Sequence, residues 1–222
     1  QTCALPIFCS GTELNATDDG EGILLLDAKA PIGVPLVDWI GDDVIDVDVK
    51  PNRGDLLSVL GLAREVAAIT GAPLRSTARS LTESGAKVSE GLTLEVSDEN
   101  LAPRVVLRVV EGVTVAPSPD AVQMRLKAAG LRSVSNVVDA TNYIMLELGK
   151  PTHAFDRSAV GATLSIRVAK PGERLETLDH VSRALDPADL VVADERGALA
   201  LAGVMGGASS EVSASKIGRA HV

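Results

Sequence analysis

The sequence predicts an α+β fold, a small α+β segment followed by a larger domain that mixes strands and helices. Three observations carry that prediction. Strands and helices alternate irregularly, without the strict β-α-β rhythm of a parallel sheet. Several helices are bracketed by cap residues and stop signals, so their positions are well marked. The 222 residues are 45% hydrophobic with a mean hydropathy of +0.21, enough to bury a core. Aromatics are confined to Phe8, Trp39, Tyr143 and Phe155, so that core must be aliphatic.

Taken in order, residues 23–49 read as short strands and turns. Ile23 to Leu26 form a compact apolar run, and Pro31 and Gly33 break the stretch after it. Residues 44–49 alternate, with Ile45, Val47 and Val49 on one face, as in a half-buried strand. Asp42, Asp43, Asp46 and Asp48 then form a solvated face, and no His or Cys supports a metal cluster there. A turn at 51–55 leads into a helix that Asp55 or Ser58 can cap. Val59, Leu62, Ala63, Val66, Ala67 and Ile69 give it a helical stripe, and Gly71 and Pro73 stop it. The Ser-, Thr- and Gly-rich stretch through 75–91 reads as a linker. Residues 92–96 and 104–110 are strand candidates. Ser118 and Pro119 open a helix that ends at Gly130. Residues 135–148 form the next helix, with Val137, Thr141, Ile144 and Leu148 on one face and Gly149 and Pro151 at its end. Strands are expected at 163–169, 190–193 and 199–204.

Composition narrows the function. A net charge of −9 opposes broad binding to a nucleic-acid backbone, which works through Lys and Arg releasing counterions. Few aromatic faces exist on which bases could stack. No apolar run of membrane-spanning length occurs, and no secretory signal opens the chain. Cys3 and Cys9 suggest neither a disulfide framework nor a zinc site, which makes a reducing cytoplasm the expected compartment.

The ends read differently from the middle. Back-translated, the last six codons can be written as the reverse complement of a stretch inside the first seven, and both resemble a sequencing adapter. Residues 1–7 and 216–222 are therefore expected not to be native, and the native part is expected to run from about Phe8 to Ser215, inside a longer protein.

The densest chemical signal lies in 130–156. Thr141 and Asn142 are poor choices for a helix interior, and residues that break a local rule are candidates for function. His153 follows Pro151 in a loop. Each has a structural alternative: Asn142 can tie the helix to a loop, Thr141 can bond back to its own helix, His153 can be solvated, and Asp139 and Asp156 can be hydrogen-bonded braces. His180 reads as a surface turn residue. A second signal is the run from Leu199 into Gly206 and Gly207, where bare backbone admits a ligand and its N–H groups can meet carboxylate or phosphate oxygens. The alternative there is a tight bend. Neither a Walker loop nor a dinucleotide fingerprint is present.

Four stretches resemble, in order and spacing, the bacterial phenylalanyl-tRNA synthetase beta subunit. They are Asp48-Val49-Lys50-Pro51-Asn52-Arg53 with 56–65, then 136–147, then Pro151 to Asp156 with its His153-Ala154-Phe155-Asp156, then 202–207. The resemblance implies a heterotetramer of two small and two large subunits. Its small alpha subunit holds the aminoacylation site. The large one contacts phenylalanine tRNA and hydrolyses tyrosine wrongly attached to it. Residues 92–215 would be a truncated editing domain, 8–72 part of the preceding structural domain and 73–91 a linker. Thr141, Asn142 and His153 match positions of the editing pocket, Gly206 and Gly207 its glycine wall, and Arg132 a position that meets the tRNA end or the carboxyl side. A pocket glutamate is expected beyond Ser215, and Gly54 stands where the family usually has proline. No cofactor is expected in this stretch, whereas the whole enzyme would use ATP and magnesium. Neither membrane nor DNA is an expected partner, and the isolated chain is expected not to aminoacylate. Two other readings stay open: a non-catalytic scaffold or RNA-binding module on the same fold, and a free-standing trans-editing deacylase.

Overall fold

The structure, a computed structural model, describes residues 8–14, 16, 20–75, 80–212 and 218–221, the last four by backbone alone. The expected adapter segment 1–7 and the middle of the expected linker, 76–79, lie outside the described residues. Helices run over Leu36–Ile40 (α1), Val59–Thr70 (α2), Val88–Gly91 (α3), Asp120–Ala128 (α4) and Asn136–Leu148 (α5). Strands run over Thr93–Val96 (β1), Val109–Val113 (β2), Phe155–Asp156 (β3), Thr163–Val168 (β4), Arg174–Glu176 (β5), Ser182–Ala184 (β6), Leu190–Ala193 (β7), Ala198–Leu201 (β8), Met205–Gly206 (β9) and Gly218–His221 (β10). The fold is α+β, as the sequence predicts.

The chain divides into two compact units, one of residues 1–48 and 119–132, the other of 49–118 and 133–222. In the first, α1 and α4 are the helices. In the second, a five-stranded sheet has the order β1-β4-β7-β8-β9, with β1 and β4 parallel and the other neighbours antiparallel. Alternation along β4 explains its place: Leu164 (0% exposed) and Ile166 (6%) point into the core, as period-2 geometry requires. One apolar cluster joins Leu92, Phe155, Val160, Leu164, Leu199 and Ala200. A second joins Ala169, Leu175, Leu185, Val191 and Ala193. In the same unit, α2 packs against α5.

Local signals explain the helices. The Ser58 side chain accepts the Gly61 N–H at 3.0 Å, and Gly71 closes α2 at φ 73°. Ser135 accepts the Val138 N–H, and Gly149 closes α5 at φ 68°. Before α4, however, Pro119 rather than Ser118 occupies the N-cap position, and the Ser118 hydroxyl donates to Asp139 Oδ2 at 2.5 Å.

Strand expectations fare less well. Residues 23–26 and 44–49 are irregular, with Ile45 82% exposed. Alternation marks a strand only where a partner edge supplies hydrogen bonds, and none pairs with them among the described residues. The expected strand at 104–110 forms further on, as β2. The β5–β6 hairpin, β3 and β9 went unforeseen, being too short to show a pattern. Residues 218–221, set aside in the sequence as non-native, form β10 between β2 and β3. Half of the α2 stripe, Val59, Val66 and Ile69, is exposed, because periodicity tells which residues share a face but not what covers it.

Candidate functional site

Helix α5 is held first by Asp139, which is fully buried. Its carboxylate accepts the Ser118 and Ser133 hydroxyls at 2.5 and 2.6 Å and the Val134 N–H at 2.8 Å. Burial alone would raise its pKa, but these bonds, together with one from the Ser135 backbone, outweigh burial and hold it below the ordinary carboxylate value. Asn136 adds a second anchor, donating to the Thr114 carbonyl at 2.9 Å and accepting the Ala116 N–H at 3.2 Å. Two of the polar residues in this stretch therefore brace the helix.

Further along α5, the Thr141 hydroxyl donates to the Val138 carbonyl at 2.6 Å. That is the back-bond the sequence offered as its structural alternative, and it leaves Oγ1 able to accept. Asn142 is half-buried, and its amide has no hydrogen-bond partner among the described residues. At the other end of α5, the αL turn at Gly149 sends the chain through Pro151 to His153.

His153 sits on the wall of a cavity of about 740 Å³ that it shares with Arg104, Val106, Leu107, Lys150 and Phe155. Its ring meets the Phe155 ring edge-on, with centroids 4.6 Å apart and planes at 75°. On another side lies Gly206: a Cβ there would stand 2.4 Å from His153 Cε1 and 2.6 Å from Nε2. Only glycine admits the ring so close. The residue keeps solvent exposure at the cavity mouth, while packing around the ring lowers its pKa from the ordinary histidine value. The neutral imidazole is thus favoured, with a ring nitrogen free to accept a proton or hold a water.

The structure therefore brings His153 and Gly206 together. Gly207 plays a different part. Its N–H donates to the Leu199 carbonyl at 2.7 Å, and an added Cβ would lie 2.5 Å from that oxygen. Its backbone, which the sequence offers to a ligand, is spent on folding the chain back on β8. Thr141 and Asn142 are not among the residues lining the His153 cavity. Arg132 is exposed and belongs to the other compact unit. Asp156 is buried and takes both the Ser158 N–H and its hydroxyl on Oδ1, leaving Oδ2 without a partner among the described residues. Arg104 and Lys150 escaped the sequence reading. Arg104 looked like a strand start and Lys150 like part of a helix stop. A second cavity of about 420 Å³ is bordered by Glu173, Asp194 and Arg196. Its acids are already paired, Glu173 with Arg167 and Asp194 with Arg196. No group of His, Cys, Asp and Glu among the described residues is arranged to hold a metal ion. No helix among them is long and apolar enough to cross a membrane.

A mixed sheet whose edge glycine meets the ring of a cavity-lining histidine belongs to an α+β domain. The B3/4 domain family matches residues 101–216, and the chain belongs to this family. Beyond the domain, the chain is 46% identical over 94% of its length to the phenylalanine--tRNA ligase beta subunit of Anaeromyxobacter dehalogenans (strain 2CP-C), covering 26% of that relative. The subunit of the same name from Moorella thermoacetica is 45% identical over 93% of the chain, which covers 27% of it. The chain thus spans about a quarter of the length of these relatives. Among solved structures, an N-terminal fragment of the phenylalanyl-tRNA synthetase beta-subunit from Pyrococcus horikoshii superposes with a TM-score of 0.45 at 15% identity, over 84% of this chain and 60% of that one.

Proposed function

We propose that this chain serves a phenylalanine--tRNA ligase beta subunit by hydrolysing tyrosine wrongly joined to phenylalanine tRNA. The observation that carries this reading is the His153 ring, laid against Gly206 on the wall of a cavity large enough for an amino acid ester, where packing lowers its pKa and favours the neutral form. Tyrosine differs from phenylalanine by one hydroxyl, and an apolar synthetic pocket rejects an added hydroxyl by only about 10²-fold. A second, hydrolytic site removes the error. Ester hydrolysis needs a placed water and donors for the developing oxyanion. The accepting nitrogen of neutral His153 suits the first task, and Phe155, Val106 and Leu107 supply apolar wall for an aromatic side chain. The unpartnered Asn142 amide and the accepting Thr141 oxygen are further polar groups of the same unit.

On the same reading, the whole protein works in the cytoplasm with an alpha subunit and phenylalanine tRNA, in a heterotetramer of two small and two large subunits. Its ATP and magnesium would serve aminoacylation outside this stretch. The 222-residue chain is expected not to aminoacylate.

A scaffold role is the second reading, favoured by the Thr141 back-bond and by the absence of Thr141 and Asn142 from the cavity lining. Release of tyrosine from tyrosyl-tRNA separates the two. Under the editing reading, H153A slows release by about 10²-fold. If H153A and T141A both leave the rate unchanged, the editing reading fails and the scaffold stands.

A further inference from the structure

We propose that Arg104 and Lys150 form a phosphate-binding rim that holds the phosphodiester backbone of a single-stranded RNA end at the His153 cavity. What the cavity receives rests on the editing reading above; the rim itself rests on charge and geometry. Both cations line this one cavity, and no carboxylate lines it. Both are exposed. Among the described residues neither has an ion pair or a side-chain hydrogen bond. That sets them apart from other cations of the same unit. Arg53 is bound to Asp55 and Glu65, Arg108 to Glu83, Arg167 to Glu173, Arg183 to Asp179, and Arg196 to Asp194.

A chain with a net charge of −9 cannot hold RNA along a broad surface, because counterion release needs clustered Lys and Arg. It can hold a short strand where two unspent cations converge without a competing acid. Arg104 offers a planar fork of donors suited to phosphate, and Lys150 a compact charge on a flexible stem. Val106, Leu107, Pro151 and Phe155 give the same cavity an apolar lining. Two cations beside an apolar lining match a nucleotide chain whose backbone meets the cations while its terminal aromatic group packs on the apolar side chains. His153 on the wall then faces what the strand carries.

The test measures binding of a 5′-labelled single-stranded tetraribonucleotide ending in CCA to the 222-residue chain, by fluorescence anisotropy over a range of salt concentrations. R104Q/K150Q is expected to bind about tenfold more weakly, and its slope of log affinity against log salt to shrink by about 1.4, since each single-strand contact contributes about 0.7. The charge-preserving R104K/K150R should stay within about twofold of wild type. Three results overturn the rim: no measurable binding by wild type, equal affinity and slope for R104Q/K150Q, or as large a loss in R104K/K150R as in R104Q/K150Q. Hydrolysis of tyrosyl-adenosine, an ester without a phosphodiester, is assayed alongside. RNA binding with the expected losses but no ester hydrolysis by wild type sinks the editing reading and leaves the rim. Ester hydrolysis with unaltered RNA binding by R104Q/K150Q does the reverse.

Discussion

A methyl group at position 206 would stand 2.4 Å from His153 Cε1, closer than any carbon contact in a packed protein. Gly206→Ala must therefore displace the imidazole or the strand. The expected cost is about 1–3 kcal/mol from overpacking, read as a fall in Tm. His153→Ala removes the clashing ring, so the double variant should recover much of that loss. A double-mutant cycle giving strictly additive effects would refute the contact. His153 also carries a pH signature. Its folded pKa lies below the ordinary 6.5 because burial disfavours the cation. Protonation must then work against folding: stability is full above about 6.5 and declines as pH falls through the lower folded value. NMR titration of the His153 ring should show a midpoint below 6.5, and a midpoint above it would contradict the packing described.

At the scale of the element, α5 depends on a buried acceptor more than on its apolar stripe. Asp139 gathers two hydroxyls and a backbone N–H from segments before the helix. Asp139→Asn swaps a charged acceptor for a neutral one and aims an NH₂ at a donor. The expected loss is about 2–4 kcal/mol, measured by denaturant titration with an unchanged m-value. A loss under about 0.5 kcal/mol would mean the bonds are dispensable. The Gly149 stop of α5 and the caps of α2 were legible in the sequence, because a cap is a contact within a few residues of chain, whereas Ser135 read as the first residue of the helix and is its cap. The role of Ser118 was not legible. A serine before a proline reads as a helix cap, and only the fold brings the Asp139 carboxylate within 2.5 Å of its hydroxyl.

At the scale of the whole molecule, the five-stranded sheet is tied to its flanking turns by Arg167 and Glu173, whose side chains are 15% and 11% exposed. The Arg167 guanidinium, with the Lys170 and Ala198 N–H groups, holds the Glu173 pKa down at about 2, against the burial that would raise it. A depressed carboxylate stabilises the fold above its unfolded pKa and loses that contribution as pH falls toward the folded one. The chain should thus shed stability on the order of 3 kcal/mol between pH 4.5 and 2. Glu173→Gln should be less stable at pH 7 and show a flatter acid transition in a Tm-against-pH series. Equal slopes for the two proteins would exclude this pair as the source.

What the sequence determined by itself was local or compositional. The capped helices, the aliphatic core strands at 163–169 and 190–193, and the family likeness of 136–156 all rest on neighbours in the chain, and the fold keeps them. Tertiary structure alone decided which strands find partners. The alternating run at 44–49 has none among the described residues and stays irregular, while Phe155–Asp156, too short to show alternation, is held in a sheet. It also decided the site. His153 and Gly206 are far apart in the chain, and their closeness comes from β9 adding to β8 at the edge of the sheet. Arg104 and Lys150 are ordinary surface cations in one dimension; their shared cavity mouth, free of carboxylates, exists only once the chain has folded. Periodicity encodes which residues share a face, but proximity between distant segments is set by the global packing minimum, which no local pattern carries.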